Sequence, residues 1–145
     1  MRAVVDPNVL ISGLLSSVGS SARILAAFAQ GEVEIVTSPA LVAELERALA
    51  YPRLRNRIPA ADAAAFVAWL AAGAESHEDP ADPPSVRSQD PGDDYLIALA
   101  EAHRVPLASG GKHLLELAER LPVLGPAEFV ELLASWSARA GATGS

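Results

Sequence analysis

The chain has 145 residues, 50% of them hydrophobic and only 5% aromatic, and its 11 basic residues against 18 acidic ones give a net charge of −7. That size suits a single domain with a sizeable core, and the negative balance argues against broad electrostatic capture of nucleic acid, although a metal-binding carboxylate cluster would itself supply several of those charges. Without cysteine there is no disulfide or thiolate metal site, and no bilayer-length apolar run or signal-peptide layout is seen, so a soluble, cytoplasmic protein with no membrane association is expected.

The first element is Ala3-Val4-Val5, a β-branched stretch that reads as a strand buried on both faces. Asp6-Pro7 should end it, because proline lacks a backbone donor and holds the preceding residue extended. The Asp6 carboxylate would then project from the strand tip, where open parallel sheets bind their ligands. A turn-capping aspartate is the competing reading. Ser20 or Ser21 can cap a helix bearing Ile24, Leu25 and Phe28, with Gly31 placed to end it. Residues 32–37 alternate polar and apolar as a second strand should. Ser38-Pro39 then combines an N-cap with a proline at the first helical position. The helix it opens carries Leu41, Val42, Leu45, Ala48 and Leu49 on one stripe. Strand, helix, strand, helix is the rhythm of a parallel α/β sheet.

Residues 51–59 form a basic patch, Arg53, Arg55 and Arg57, bracketed by prolines, with Arg47 nearby. It reads as a solvated face, a surface for an acidic partner segment, or a contact for RNA. Ala60 to Ala72 is predicted helical, with Ala63, Phe66, Val67 and Leu70 at core spacing. Residues 73–92 are the least structured stretch, with a short strand expected around 74–78. Asp90-Pro91-Gly92-Asp93-Asp94 leads into Tyr95-Leu96-Ile97-Ala98-Leu99-Ala100, a run apolar all round and hence a buried helix. Val105 to Ala108 reads as a strand ending in Ser109-Gly110-Gly111, Lys112 to Arg120 as a helix, and Val123-Leu124 as a last strand. Pro126 opens a final helix with Phe129, Leu132, Leu133 and Trp136 at helical spacing. One domain over residues 1–139 and a frayed tail over 140–145 are expected.

Acids therefore stand at three strand ends or helix starts: Asp6, the Glu44/Glu46 pair, and Asp90, Asp93 and Asp94. Carboxylates without cysteine or a histidine motif suit hard, oxygen-seeking cations, Mg²⁺ or Mn²⁺, and clustered acids would repel one another without one. Each also has a structural reading. Asp93 and Asp94 sit in a first helical turn, where the helix dipole favours acids. Asp90 before proline resembles an N-cap paired with Asp93. Neither the helical wheel nor the local pattern chooses between Glu44 and Glu46. His77, His103 and His113 are scattered and read as solvated, with approach to a substrate the alternative for His113 because of the loop it follows.

Four segments together, Val5 to Ser12, Ser38 to Leu45, Asp90 to Ala100 and Leu107 to Leu115, resemble the PIN-domain family in its VapC-like toxin group, through nearly the whole chain. The resemblance implies a three-layer α/β/α sandwich with a central parallel sheet of four to five strands, and metal-dependent ribonuclease activity as the toxin of a toxin–antitoxin pair. Position by position it selects Asp6, Glu44 and Asp93 as the catalytic, Mg²⁺- or Mn²⁺-binding acids, with Asn8 and Ser109 as supporting polar residues. It also implies an RNA substrate, an antitoxin partner and a homodimer. Two positions depart from the family pattern: Pro7 replaces a small or hydroxyl residue, and Gly111 stands where a fourth acid is usual. Asp90 or Asp94 would be the substitutes for that acid. A degenerate, non-cleaving fold that binds RNA or an antitoxin is therefore an alternative. An aspartyl-phosphate phosphotransfer protein with Asp6 as nucleophile is another, weakened by Asn8 at the place of a second acid.

Overall fold

The computed structural model describes residues 1–143, with side chains described to Arg139. Five parallel strands form one sheet in the order β3-β2-β1-β4-β5. They are β1 (Arg2–Val5), β2 (Glu34–Thr37), β3 (Glu75–Ser76), β4 (Leu107–Ala108) and β5 (Val123–Leu124). Helices cover both faces to give the expected three-layer α/β/α sandwich. They are α1 (Pro7–Leu15), α2 (Ser20–Ala29), α3 (Pro39–Leu49), α4 (Pro52–Arg55), α5 (Ala60–Gly73), α6 (Asp94–His103), α7 (Lys112–Leu115) and α8 (Pro126–Thr143). Among the described residues no single helix is long and apolar enough to cross a membrane.

The central strand explains its own sequence. Ala3, Val4 and Val5 are completely buried, as a strand covered on both faces requires. Leu96, Ile97, Ala98, Leu99 and Ala100 are all buried in α6, which lies against β1 and β4. Leu41, Leu45 and Leu49 form the inward stripe of α3, and Phe129 and Leu133 bring α8 into the same core. Ser38 caps α3 as its sequence predicts, its Oγ accepting from the Leu41 N–H at 3.3 Å. Gly31 ends α2 with φ +77°, the left-handed geometry that glycine adopts without a steric penalty.

The local reading differs from the structure in three places and left one run without an element. That apolar run, after Asp6, is helical. Asp6-Pro7 is a cap and first-turn pair just as Ser38-Pro39 is, and contiguous Val9, Leu10 and Ile11 are buried because α1 is enclosed by its neighbours. Gly19, not a serine, stands at the N-cap of α2, with φ 99° and no side-chain cap. The basic patch contains the single turn α4. The helix expected over 112–120 stops at Leu115 and continues as tight turns, with bonds such as Leu117 N–H to Leu114 O at 3.0 Å. Of the expected tail, residues 140–143 carry helical backbone in α8, whereas Gly144 and Ser145 lie outside the described residues.

Candidate active site at the sheet switch point

β1 lies between β2 on one side and β4 on the other, so the chain reverses its direction of travel across the sheet at this strand. Ligands in open α/β sheets bind outside the strand ends at such a point. Register then brings two polar residues together across it. Val5 pairs with Ala108, so the next residues, Asp6 and Ser109, stand side by side, and the Asp6 N–H bonds Ala108 O at 2.9 Å. Ser109 Oγ donates to Asp6 Oδ2 at 2.7 Å, and it accepts in turn from the Gly111 N–H at 3.0 Å. The other oxygen, Oδ1, accepts from the Asn8 N–H at 2.9 Å and so caps α1. The capping and site readings of Asp6 are thus compatible: a carboxylate has enough lone pairs for both. Asn8 contributes its backbone, while its side chain is exposed.

Asp93 stands in the turn before α6 and senses Asp6 directly. Its pKa is pushed up to about 6, first by burial and then by the negative charges of Asp6 and Asp90, with His113 opposing the shift. Asp90 serves the same turn by accepting from the Gly92 N–H at 2.9 Å. Asp94 is turned to the preceding loop, accepting from the Ser88 N–H at 2.9 Å and from Arg87 at 3.1 Å. Its carboxylate is therefore committed to the loop.

Glu44 reaches the same region from α3. Tyr95, in the first turn of α6, is half-buried and has its ionisation suppressed by burial and then by Asp6, Glu44, Asp93 and Asp79. The phenol therefore stays protonated. Arg47 engages both Glu44 oxygens, through Nε at 3.0 Å and Nη2 at 2.7 Å. Among the described residues Asp6, Glu44 and Asp93 do not bring three ligand atoms within 4.8 Å of one another; Glu75, His77 and His103 do.

Gly111 borders this site. A β-carbon there would lie 3.9 Å from Asp6 Oδ2 and 3.3 Å from Ser109 Oγ, so the absent fourth acid would have stood beside Asp6. The donor set is hard oxygen throughout, which fits Mg²⁺ or Mn²⁺ better than a softer ion, and the strain recorded by Asp93 is what a dication relieves. Tyr95 and Arg47 escaped the sequence reading as residues of the acid site. Tyr95 was hidden in an apolar run, and Arg47 follows Glu44 at i+3, a spacing that brings helical side chains together. His113 Nδ1 is buried without a hydrogen-bond partner, 4.0 Å from Glu116.

The family model described as PIN domain matches residues 2–107. The chain belongs to the PIN domain family. The match spans Asp6, Glu44 and Asp93 and ends before Ser109 and Gly111. None of the curated proteins matches the sequence significantly. Solved structures share the fold at low identity. VapBC2 from Rickettsia felis, crystallised bound to a DNA fragment from their promoter, gives a TM-score of 0.58 at 12% identity, covering 86% of this chain and 98% of that one. FitAcB from Neisseria gonorrhoeae gives 0.55 at 19% identity, covering 86% and 97%. This PIN domain therefore has the PIN sandwich throughout its central sheet.

Proposed function

We propose that this PIN domain is a Mg²⁺- or Mn²⁺-dependent endoribonuclease and the toxin of a toxin–antitoxin pair. The observation that carries the reading is the juxtaposition of Asp6, locked by Ser109, with an Asp93 whose pKa is pushed up to about 6 at the switch point of the sheet. Asp6, Glu44 and Asp93 would hold the ion. When bound, it supplies an acidified water and positive charge against a phosphoryl oxygen.

The chain's own residues do the rest. Ser109 and the Asn8 N–H fix the orientation of Asp6, so little ordering remains for substrate binding to provide. A carboxylate beside the ion is suited to take a proton from an attacking water. Tyr95 stays protonated and donates toward the anionic centre. Arg47, once released from Glu44, supplies a guanidinium to a phosphate, and Arg53, Arg55 and Arg57 extend the positive surface along the RNA. Cleavage would leave 5′-phosphate and 3′-hydroxyl ends, as the family resemblance implies.

The solved neighbours VapBC2 and FitAcB support an antitoxin partner. An open groove between α3 and α5, lined by Val42, Leu49, Ala63, Val67 and Arg55, suits an apolar helix from it. A homodimer and a cytoplasmic location complete the reading. The test is incubation of the purified chain with RNA and Mn²⁺ beside Asp6→Asn. The expected result is cleavage by the wild type alone; cleavage that persists in the variant rejects the site.

Gly111 favours one alternative, a PIN fold that binds RNA or antitoxin without cutting. A silent wild type that is rescued by Gly111→Asp would establish it. A phosphotransfer role for Asp6 has less support, since the residue is 4% exposed and Asn8 offers no second acid. Trapping a phosphoryl adduct on Asp6 would revive it.

A further inference from the structure

At the other end of α6 from Asp93, three residues distant in sequence meet. Glu75 belongs to the edge strand β3, His77 follows it by two residues, and His103 is the last residue of α6. His77 Nε2 lies 2.9 Å from Glu75 Oε2. The two imidazole rings stack with centroids 4.2 Å apart and planes tilted by 33°. One ligand atom from each of Glu75, His77 and His103 can be chosen so that all three lie within 4.8 Å of one another. Two of the chain's three histidines are thus held against one carboxylate, although they read as scattered in the sequence.

We propose that Glu75, His77 and His103 form a second cation site, selective for a borderline transition ion such as Zn²⁺ and separate from the acid cluster at Asp6. Two imidazoles and one carboxylate form a recurrent three-ligand set for zinc, with solvent completing the tetrahedron. Bond lengths of about 2.0–2.2 Å place tetrahedral ligand atoms about 3.3 Å apart, within the span these three side chains already share. Hard ions prefer oxygen-only sites, so the two centres should sort metals by chemistry.

Arg2 is the built-in competitor. Its guanidinium bonds Glu75 Oε2 and also the His103 carbonyl at 3.5 Å, and its positive charge opposes a dication. An ion here would clip the two-residue strand β3 to the end of α6.

The test uses the full chain without an affinity tag, titrated with Co²⁺ followed by visible absorption and then displaced with Zn²⁺, and with Zn²⁺ alone in thermal melts. The expected result is one tightly bound ion per chain, a rise in Tm with zinc, and no displacement by excess Mg²⁺. His77→Ala and His103→Ala should each weaken binding on the order of tenfold or more. His77 is exposed enough for its truncation to leave the core intact, which far-UV circular dichroism verifies. Arg2→Gln should tighten binding by removing the competitor. Asp6→Asn and His113→Ala should leave binding unchanged, so the result stands apart from the nuclease reading. Zinc binding that survives both histidine variants, follows His113, or yields to Mg²⁺ overturns the proposal.

Discussion

Arg47 holds both carboxylate oxygens of Glu44 from one turn further along α3. An acid assigned to a cation is therefore already neutralised by a guanidinium on its own helix. The Arg47 side chain is 67% exposed, and solvent-exposed ion pairs contribute little to stability. The pair can open at low cost. Arg47→Ala should leave Tm nearly unchanged and tighten Mn²⁺ binding modestly. Calorimetric titration measures this. If Arg47 contacts RNA after release, cleavage falls in the same variant while metal affinity rises, and that opposite movement separates the two roles.

Ser109→Ala should destabilise the fold. Ser109 is completely buried, and its hydroxyl satisfies Asp6 Oδ2 and the Gly111 N–H together. Leaving buried polar groups unpaired costs about 1–3 kcal/mol. Denaturant unfolding of the metal-free protein should show a loss in that range with an unchanged m-value. Mn²⁺ affinity should fall as well, because Asp6 loses the contact that orients it. Ser109→Thr should retain most of both if the added methyl is accommodated.

The pKa of Asp93 predicts a pH dependence with a definite sign. The folded protein raises it from 3.8 to about 6, so between those values the native state binds more protons than the unfolded state. Stability contributed by this group is therefore fully present below the unfolded pKa, declines as pH rises through the window, and is absent above about 6. In EDTA, the difference in Tm between wild type and Asp93→Asn should change across pH 4 to 7 in favour of the variant. Mg²⁺ should reverse this at pH 7, stabilising the wild type and leaving the variant unaffected. A pH-independent difference would reject the electrostatic account of this residue.

Gly111→Asp should install the missing acid without backbone strain, since Gly111 has φ −72° and ψ 131°. Its β-carbon would sit 3.9 Å from Asp6 Oδ2. In EDTA the added like charge should lower Tm, whereas in Mn²⁺ the variant should bind metal more tightly than wild type. Melts in both buffers check this. No change in either means that position 111 faces away from the cation.

Residue order by itself determined the layered α/β class, because period-2 and helical apolar patterns, Ser38-Pro39 and Gly31 act within a few residues of themselves. It also exposed Asp6 as a strand-end acid. Local pattern could not separate Glu44 from Glu46, or Asp93 from Asp94; family resemblance chose between them. It left Val9-Leu10-Ile11 without an element, since a short apolar run has no period that distinguishes a buried helix from a strand. Only the tertiary structure decided the partnerships. The β1–β4 register set Ser109 against Asp6, and the turn before α6 brought Asp93 close enough to feel the charge of Asp6. The β2–β3 pairing carried His77 across to His103. Such contacts depend on how strands align and where helices end in space, and through-space distance leaves no mark in the spacing of residues along a chain.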